Sequence, residues 1–225
     1  MHLLFCELVD LTLYKILLFL NGNINLDFCR NYLKKFEDFK IICTDGAYEK
    51  IHSCDFLSSK IEKVIGDFDS ATYIESSLFL RDENQYKTDF EKALDFLIKK
   101  ESLNVIVFGS SGGEMDHFLS NMSIAKKYKD SLNLRFVDEF SEYYFIQNTF
   151  KINDVNNKMF SIVPFPFAKN IYYKGLKYGL SGESLILGES TGVRNHAVEN
   201  TVEINYSEGD ILLFISHDFY RQIRK

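Results

Sequence analysis

Hydrophobic positions follow two different rhythms along this chain. Up to about residue 138, short apolar runs alternate with segments whose apolar residues recur every three or four positions. The runs Lys15–Leu20, Ile41–Thr44, Val64–Ile65, Val105–Phe108 and Leu134–Val137 predict buried strands. The spacing predicts amphipathic helices over Leu26–Phe39, Thr88–Lys100 and Asp116–Tyr128. In the second of these, Phe90, Leu94, Leu97 and Ile98 share one face, and Glu91, Lys92, Asp95 and Lys99 fall largely on the other. Strand–helix alternation of this kind implies a mostly parallel sheet covered by helices. Ligands of such sheets bind beyond the carboxyl ends of the strands. Asn21-Gly22, Asp45-Gly46, Gly66-Asp67 and Gly109 each follow a predicted strand directly.

Past residue 140 the period shortens. Tyr143–Ile146, Met159–Val163, Ile171–Tyr173, Ser184–Leu187, Thr201–Ile204 and Ile211–Ile215 are short and β-prone, with Gly, Asn and Ser between them. Both prolines, Pro164 and Pro166, lie here, and no long helical pattern intervenes. The expected fold is therefore α/β. An N-terminal three-layer domain with a mostly parallel sheet (1–140) precedes a C-terminal all-β sandwich (141–225).

Composition narrows the classes. A hydrophobic content of 46% over 225 residues is ample for packed cores, and a net charge of -6 argues against a nucleic-acid surface. The first fourteen residues are apolar, but Glu7 and Asp10 interrupt them, no basic segment precedes them, and Lys15 breaks any membrane-length span. Cys6, Cys29, Cys43 and Cys54 have no zinc-like or redox-motif spacing, which points to free thiols and a reducing cytoplasm.

Three motifs carry candidate chemistry. Ile65-Gly-Asp-Phe-Asp-Ser70 places Asp67 and Asp69 two residues apart. In extended backbone both carboxylates would face one point and suit a hard cation such as Mg²⁺. They would equally suit turn and cap hydrogen bonds. In Gln85-Tyr-Lys-Thr-Asp-Phe-Glu-Lys-Ala93, Thr88 and Glu91 form a capping box that starts a helix near Asp89. Asp89 then either complements the helix dipole or joins Asp67 and Asp69 as a third carboxylate, with Lys87 or Lys92 free to meet a phosphate. Gly109-Ser-Ser-Gly-Gly-Glu-Met-Asp-His117 leaves a strand and enters a helix, where glycines let backbone approach a phosphate. It is neither a Walker loop nor a G-x-G-x-x-G motif.

In this order the segments resemble the thiamine pyrophosphokinase family. The matching pieces are Asp45-Gly46-Ala47, Gly66-Asp-Phe-Asp-Ser70, Gln85 with Thr88-Asp89-Phe-Glu-Lys-Ala-Leu94, and Gly112-Gly113-x-x-Asp116-His117-x-x-x-Asn121. Gly175-Leu-Lys-Tyr178 and Gly192-Val-Arg-Asn195 match in the β half. The resemblance implies a homodimer with sites between subunits, converting ATP and thiamine to AMP and thiamine diphosphate. It implies that Asp67, Asp69 and Asp89 are catalytic and hold Mg²⁺, and that Gln85 and Asn195 contact thiamine. Asn21, Gly22, Asp45, Gly46, Lys92, Gly109, Gly112, Gly113 and Asp116 would place the nucleotide. Ala47, Tyr86, Glu114 and Arg194 depart from the family pattern, which has Arg at the position of Glu114 and Ser at that of Arg194. With no Trp in the chain, aromatic packing on thiamine would fall to Tyr or Phe. Two other readings stay open on the residues alone. One is a pyrophosphokinase for another hydroxymethyl heterocycle; the other is a weakly catalytic nucleotide or thiamine sensor.

Overall fold

The computed structural model describes residues 13–68 and 76–219, which divide into two compact units at Glu139/Phe140. Residues 1–12, 69–75 and 220–225 lie outside the described residues, and with them Cys6, the apolar N-terminal run and the expected metal ligand Asp69.

In the first unit six strands form one parallel sheet. They are β1 (Ile16–Phe19), β2 (Lys40–Thr44), β3 (Ile61–Gly66), β4 (Phe79–Arg81), β5 (Asn104–Phe108) and β6 (Asn133–Val137), in the order β4-β3-β2-β1-β5-β6. The chain builds outward from β1 in one direction and then returns to add β5 on its other side. Helices α1 (Leu26–Leu33), α2 (Asp45–Ile51) and α3 (Asp55–Ser58) precede that reversal, and α4 (Asp89–Lys99) and α5 (Met115–Tyr128) follow it. Right-handed crossovers put the two groups on opposite faces, giving three layers. In keeping with this, α4 packs on both α5 and the β2–β3 region. The central strands are buried nearly throughout, as continuous apolar runs such as Val105–Phe108 require.

Helix starts follow local chemistry. Asn25 caps α1 by accepting hydrogen bonds from the N–H groups of Asp27 (3.1 Å) and Phe28 (3.0 Å). Thr88 caps α4 by accepting from Glu91 N–H at 3.2 Å, whereas the Glu91 carboxylate reaches Lys127 at 2.7 Å instead of closing the box. Two expectations need correction. The first helix stops at Leu33, six residues short of Phe39, because a tighter turn (Phe36 N–H to Leu33 carbonyl, 3.0 Å) sends Phe39 into the core ahead of β2. Lys92 is buried, not on a solvated face.

The second unit is antiparallel throughout: β7 (Ser141–Ile146), β8 (Thr149–Ile152), β9 (Lys158–Lys174), β10 (Ser181–Ile186), β11 (Gly192–His196), β12 (Val202–Asn205) and β13 (Glu208–Phe219). What the sequence presents as two strands, Met159–Val163 and Ile171–Tyr173, is one strand of 17 residues running through both prolines. It survives them because β9 changes partners along its length. One edge pairs with β13 and then β12; the other pairs with β11 and then β10. The pairing with β13 shifts register between Gly209 and Ile211, beside Pro164, where a missing N–H costs no regular ladder bond. Every second residue points inward. Tyr144, Ile146, Phe150, Ile152, Phe160, Ile162, Val202, Ile204, Ile211, Leu213 and Ile215 form the core.

At the carboxyl end of the parallel sheet the loops after β1 and β5 run against each other. Gly22 N–H donates to the Gly109 carbonyl (2.7 Å) and Asn23 N–H to that of Ser111 (2.8 Å). Gly109 has φ +68°, and a Cβ there would lie 2.1 Å from the Leu20 carbonyl oxygen. Gly109→Ala is therefore expected to lower unfolding free energy by about 2–4 kcal/mol in urea titration. Gly113→Ala, whose Cβ would meet nothing closer than 3.7 Å, is expected to stay within about 0.5 kcal/mol.

Candidate active site

The strand ends assemble a small polar edge in the first unit. β2 delivers Asp45, whose carboxylate accepts from its neighbour Gly46 N–H (2.6 Å) and, across the sheet edge, from Phe68 N–H (3.3 Å). Gly66 makes room for it: a Cβ on Gly66 would stand 2.6 Å from the Asp45 carboxyl carbon. Gly46 likewise makes room for the Asn21 amide, at 2.4 Å from its would-be Cβ. Lys50, on α2, donates to the carbonyls of Asn21 (2.6 Å) and Gly22 (2.9 Å) and so ties the β1 loop down. No sequence signal singled out Lys50, because its partners are backbone atoms.

Asp67 follows β3 and sits within reach of Gln85, whose amide nitrogen donates to it at 3.4 Å. The premise of an extended backbone does not hold here, because Phe68 has φ +57° and turns the chain. Phe68 is held in that conformation from two sides, by the Asp45 contact and by an edge-to-face ring contact with Phe79 at 5.4 Å. The two-residue alternation on which that expectation rests therefore breaks at Phe68, and Asp69 itself lies outside the described residues.

Asp89 lies in the first turn of α4, partly buried, with the Lys92 ammonium 3.0 Å from its carboxylate. Its pKa is raised: burial is the main cause, the negative charges of Asp45 and Asp67 add to it, and Lys92 opposes it. That electrostatic coupling places Asp45, Asp67 and Asp89 in one acidic edge. Lys87 does not face it; it pairs with Asp95, which also accepts from the Tyr128 hydroxyl at 2.8 Å.

The glycine-rich segment splits by role. Gly22, Gly109 and Gly112 are filled against protein: a Cβ on Gly112 (φ +77°) would meet the Asn23 side chain at 2.6 Å. Gly113 has open space. Asn121 donates to the Ser110 carbonyl at 3.1 Å and holds this loop on α5. Asp116 is exposed at the helix start, accepting from His117 N–H at 2.9 Å. Glu114 is exposed as well, 3.6 Å from His117 Nδ1.

Asn195 belongs to the second unit and is 4% exposed. Its oxygen accepts from Tyr178 N–H (3.0 Å) and His196 N–H (2.9 Å), and its nitrogen donates to the Tyr178 carbonyl (2.7 Å). It pins the Gly175–Tyr178 turn to β11, with one amide hydrogen left over.

Comparison with known proteins agrees with this architecture. The family model described as "Thiamin pyrophosphokinase, catalytic domain" matches residues 31–136, and "Thiamin pyrophosphokinase, vitamin B1 binding domain" matches residues 147–211. A thiamine pyrophosphokinase of Bacillus subtilis is 27% identical over 169 residues, covering 69% of this chain and 78% of that one. Among solved structures, thiamine pyrophosphokinase from Bacillus subtilis superposes with a TM-score of 0.74 at 22% identity, covering 91% of this chain and 100% of that one. The Candida albicans enzyme superposes with a TM-score of 0.76 at 18% identity, covering 91% and 89%. Two matched domains in the family's order, on the fold its solved members share, carry the assignment: this chain belongs to the thiamine pyrophosphokinase family.

Proposed function

We propose that this chain carries out the family reaction at the acidic edge of its first unit, with ATP as donor, thiamine as acceptor and Mg²⁺ as the metal. The observation that carries the reading is the gathering of Asp45, Asp67 and Asp89 at one strand-end edge, where burial first, and then the negative charges of Asp45 and Asp67, raise the pKa of Asp89. Carboxylate oxygens are the donors a small hard dication takes, and a cation at this edge would offset those charges. Asp67 and Asp89, with Asp69, would hold it. When bound, the ion would supply charge neutralisation for the phosphate oxygens of ATP. The chain's own residues do the positioning. Lys92 brings positive charge to the edge, and Gln85 is held beside Asp67, where an acceptor hydroxyl would need to sit. Backbone of the Gly112–Gly113 segment and Asp116 would face the nucleotide, with Asn21, Gly22, Asp45, Gly46 and Gly109 shaping the edge beneath it. In this reaction the thiamine oxygen forms a bond to the β-phosphorus, and the bond from that phosphorus to the AMP oxygen breaks.

The second unit would carry thiamine, with Asn195 acting through the turn it holds. A homodimer, with two shared sites, fits a chain that divides its substrate contacts between two units. Cytoplasmic placement fits the free, buried thiols of Cys29, Cys43 and Cys54. No helix of the described residues is long and apolar enough to cross a membrane.

Three outcomes test this reading. Asp67→Asn should cut AMP release from ATP and thiamine by about a hundredfold or more at saturating Mg²⁺ while leaving the circular dichroism spectrum unchanged. Near wild-type turnover would remove Asp67 from the metal set. Asn195→Ala should cost roughly 1–3 kcal/mol of stability by orphaning Tyr178 and His196 backbone groups, read as a lowered melting temperature. A variant with unchanged melting but a raised thiamine KM would make Asn195 a direct contact instead. Light scattering should give twice the 26.2 kDa chain mass.

A further inference from the structure

The outer face of the second unit holds a trough of about 520 Å³ that the reading above leaves unused. Its floor is the face of β9 and β13 opposite the core: Met159, Ser161 and Val163 from one strand, Phe214 and Ser216 from the other. Phe140 and Val193 rise from it largely exposed. Two charged residues line it, Arg194 and Asp218.

Arg194 is held there by unusual means. The β11–β9 pairing shifts register between Gly192 and Asn195, and Arg194 takes φ +57°, a conformation that costs a residue with a side chain. Its N–H donates to the Ser161 hydroxyl at 3.1 Å, which fixes the bulge over the trough. Its guanidinium makes no hydrogen bond or ion pair among the described residues. A bulge and a left-handed residue spent on presenting an unpaired guanidinium beside an apolar floor describe a recognition site. The floor suits a flat ring, Asp218 suits a positive centre, and Arg194 suits a planar or tetrahedral anion.

We propose that this trough binds a flat cationic heterocycle bearing a phosphate group, with Arg194 as the residue that selects the phosphorylated form. The inference rests on the thiamine reading above and deepens it. It names as ligand a phosphate ester of the acceptor, either the monophosphate offered from solution or the diphosphate the enzyme has just made.

The test is calorimetric titration of the full chain in EDTA without ATP, so that no metal can carry a phosphate to the aspartates. Thiamine, thiamine monophosphate, thiamine diphosphate and inorganic phosphate are titrated separately. Both esters should bind at least tenfold tighter than thiamine, and inorganic phosphate, lacking the ring, more weakly than either ester. The monophosphate binding tighter would mark a ligand taken from solution; the diphosphate binding tighter would mark a retained product. Arg194→Ser should abolish the preference and leave thiamine affinity within about twofold. Arg194→Gly, which relieves the left-handed backbone and should melt no lower than wild type, should do the same. Equal affinity for thiamine and its esters in the wild type overturns the proposal. So does an ester preference that survives in both variants, or a loss of dimer mass as the sole effect of either. Failure of AMP release with the ester preference intact would overturn the reaction assigned above and leave the trough's selectivity standing.

Discussion

Backbone packed against backbone at the carboxyl edge of the parallel sheet is the constraint on which the first unit's polar edge depends. The β1 loop touches the β5 loop through Gly22 and Gly109, and Asn21 and Asp45 occupy the space that side chains at positions 46 and 66 would fill. Once those approaches are made, little is left adjustable. Asp45 has one place to go, and there its carboxylate meets Phe68 N–H and sets the turn that follows β3. The turn in turn sets Asp67 beside Gln85. Close packing of this kind has high specificity and low tolerance, since an interior at crystal-like density transmits a displacement rather than absorbing it.

The acidic edge then gathers negative charge at partial burial. Burial raises the pKa of Asp89, and the negative charges of Asp45 and Asp67 add to it. Lys92, almost wholly buried, offsets part of it from within the same helix turn. The state of the edge thus rests on one balance between burial, the neighbouring carboxylates and Lys92.

Elements with a regular period were legible from the residues. The parallel strands, α4 with its Thr88 cap, and α5 all announce themselves by spacing or by capping chemistry, and so does the alternation of the second unit. Elements too short to repeat a period twice were not. α2 and α3 have seven and four residues, too few for a helical stripe to show, and β4 has three. The joining of Met159–Val163 to Ile171–Tyr173 was hidden for another reason: prolines mark strand ends when partners are unknown, and a strand that changes partners escapes that rule. In the candidate site, the residue types and their order were readable, whereas the turn at Phe68 was not. A bulky residue in the left-handed region is set by tertiary contacts from Asp45 and Phe79, which no local pattern encodes. Asn195 was legible as a residue of note, yet its amide is spent on the Tyr178 turn, a long-range partnership invisible along the chain.

The hub position of β9 governs the order in which the two units can form as the chain is made. The parallel sheet is complete once Val137 has emerged, since its six strands are contiguous in sequence. The antiparallel unit has no such early closure. β7 pairs with β13, and β8 with β12, so the first strands synthesised wait for the last, across fifty residues or more in each case. Contacts of such long sequence separation form slowly and leave strand edges open meanwhile. The emerging chain therefore carries a finished first unit tethered to an unsatisfied sheet, and its exposure to misassembly on the ribosome is concentrated in the interval between Ser141 and Phe219.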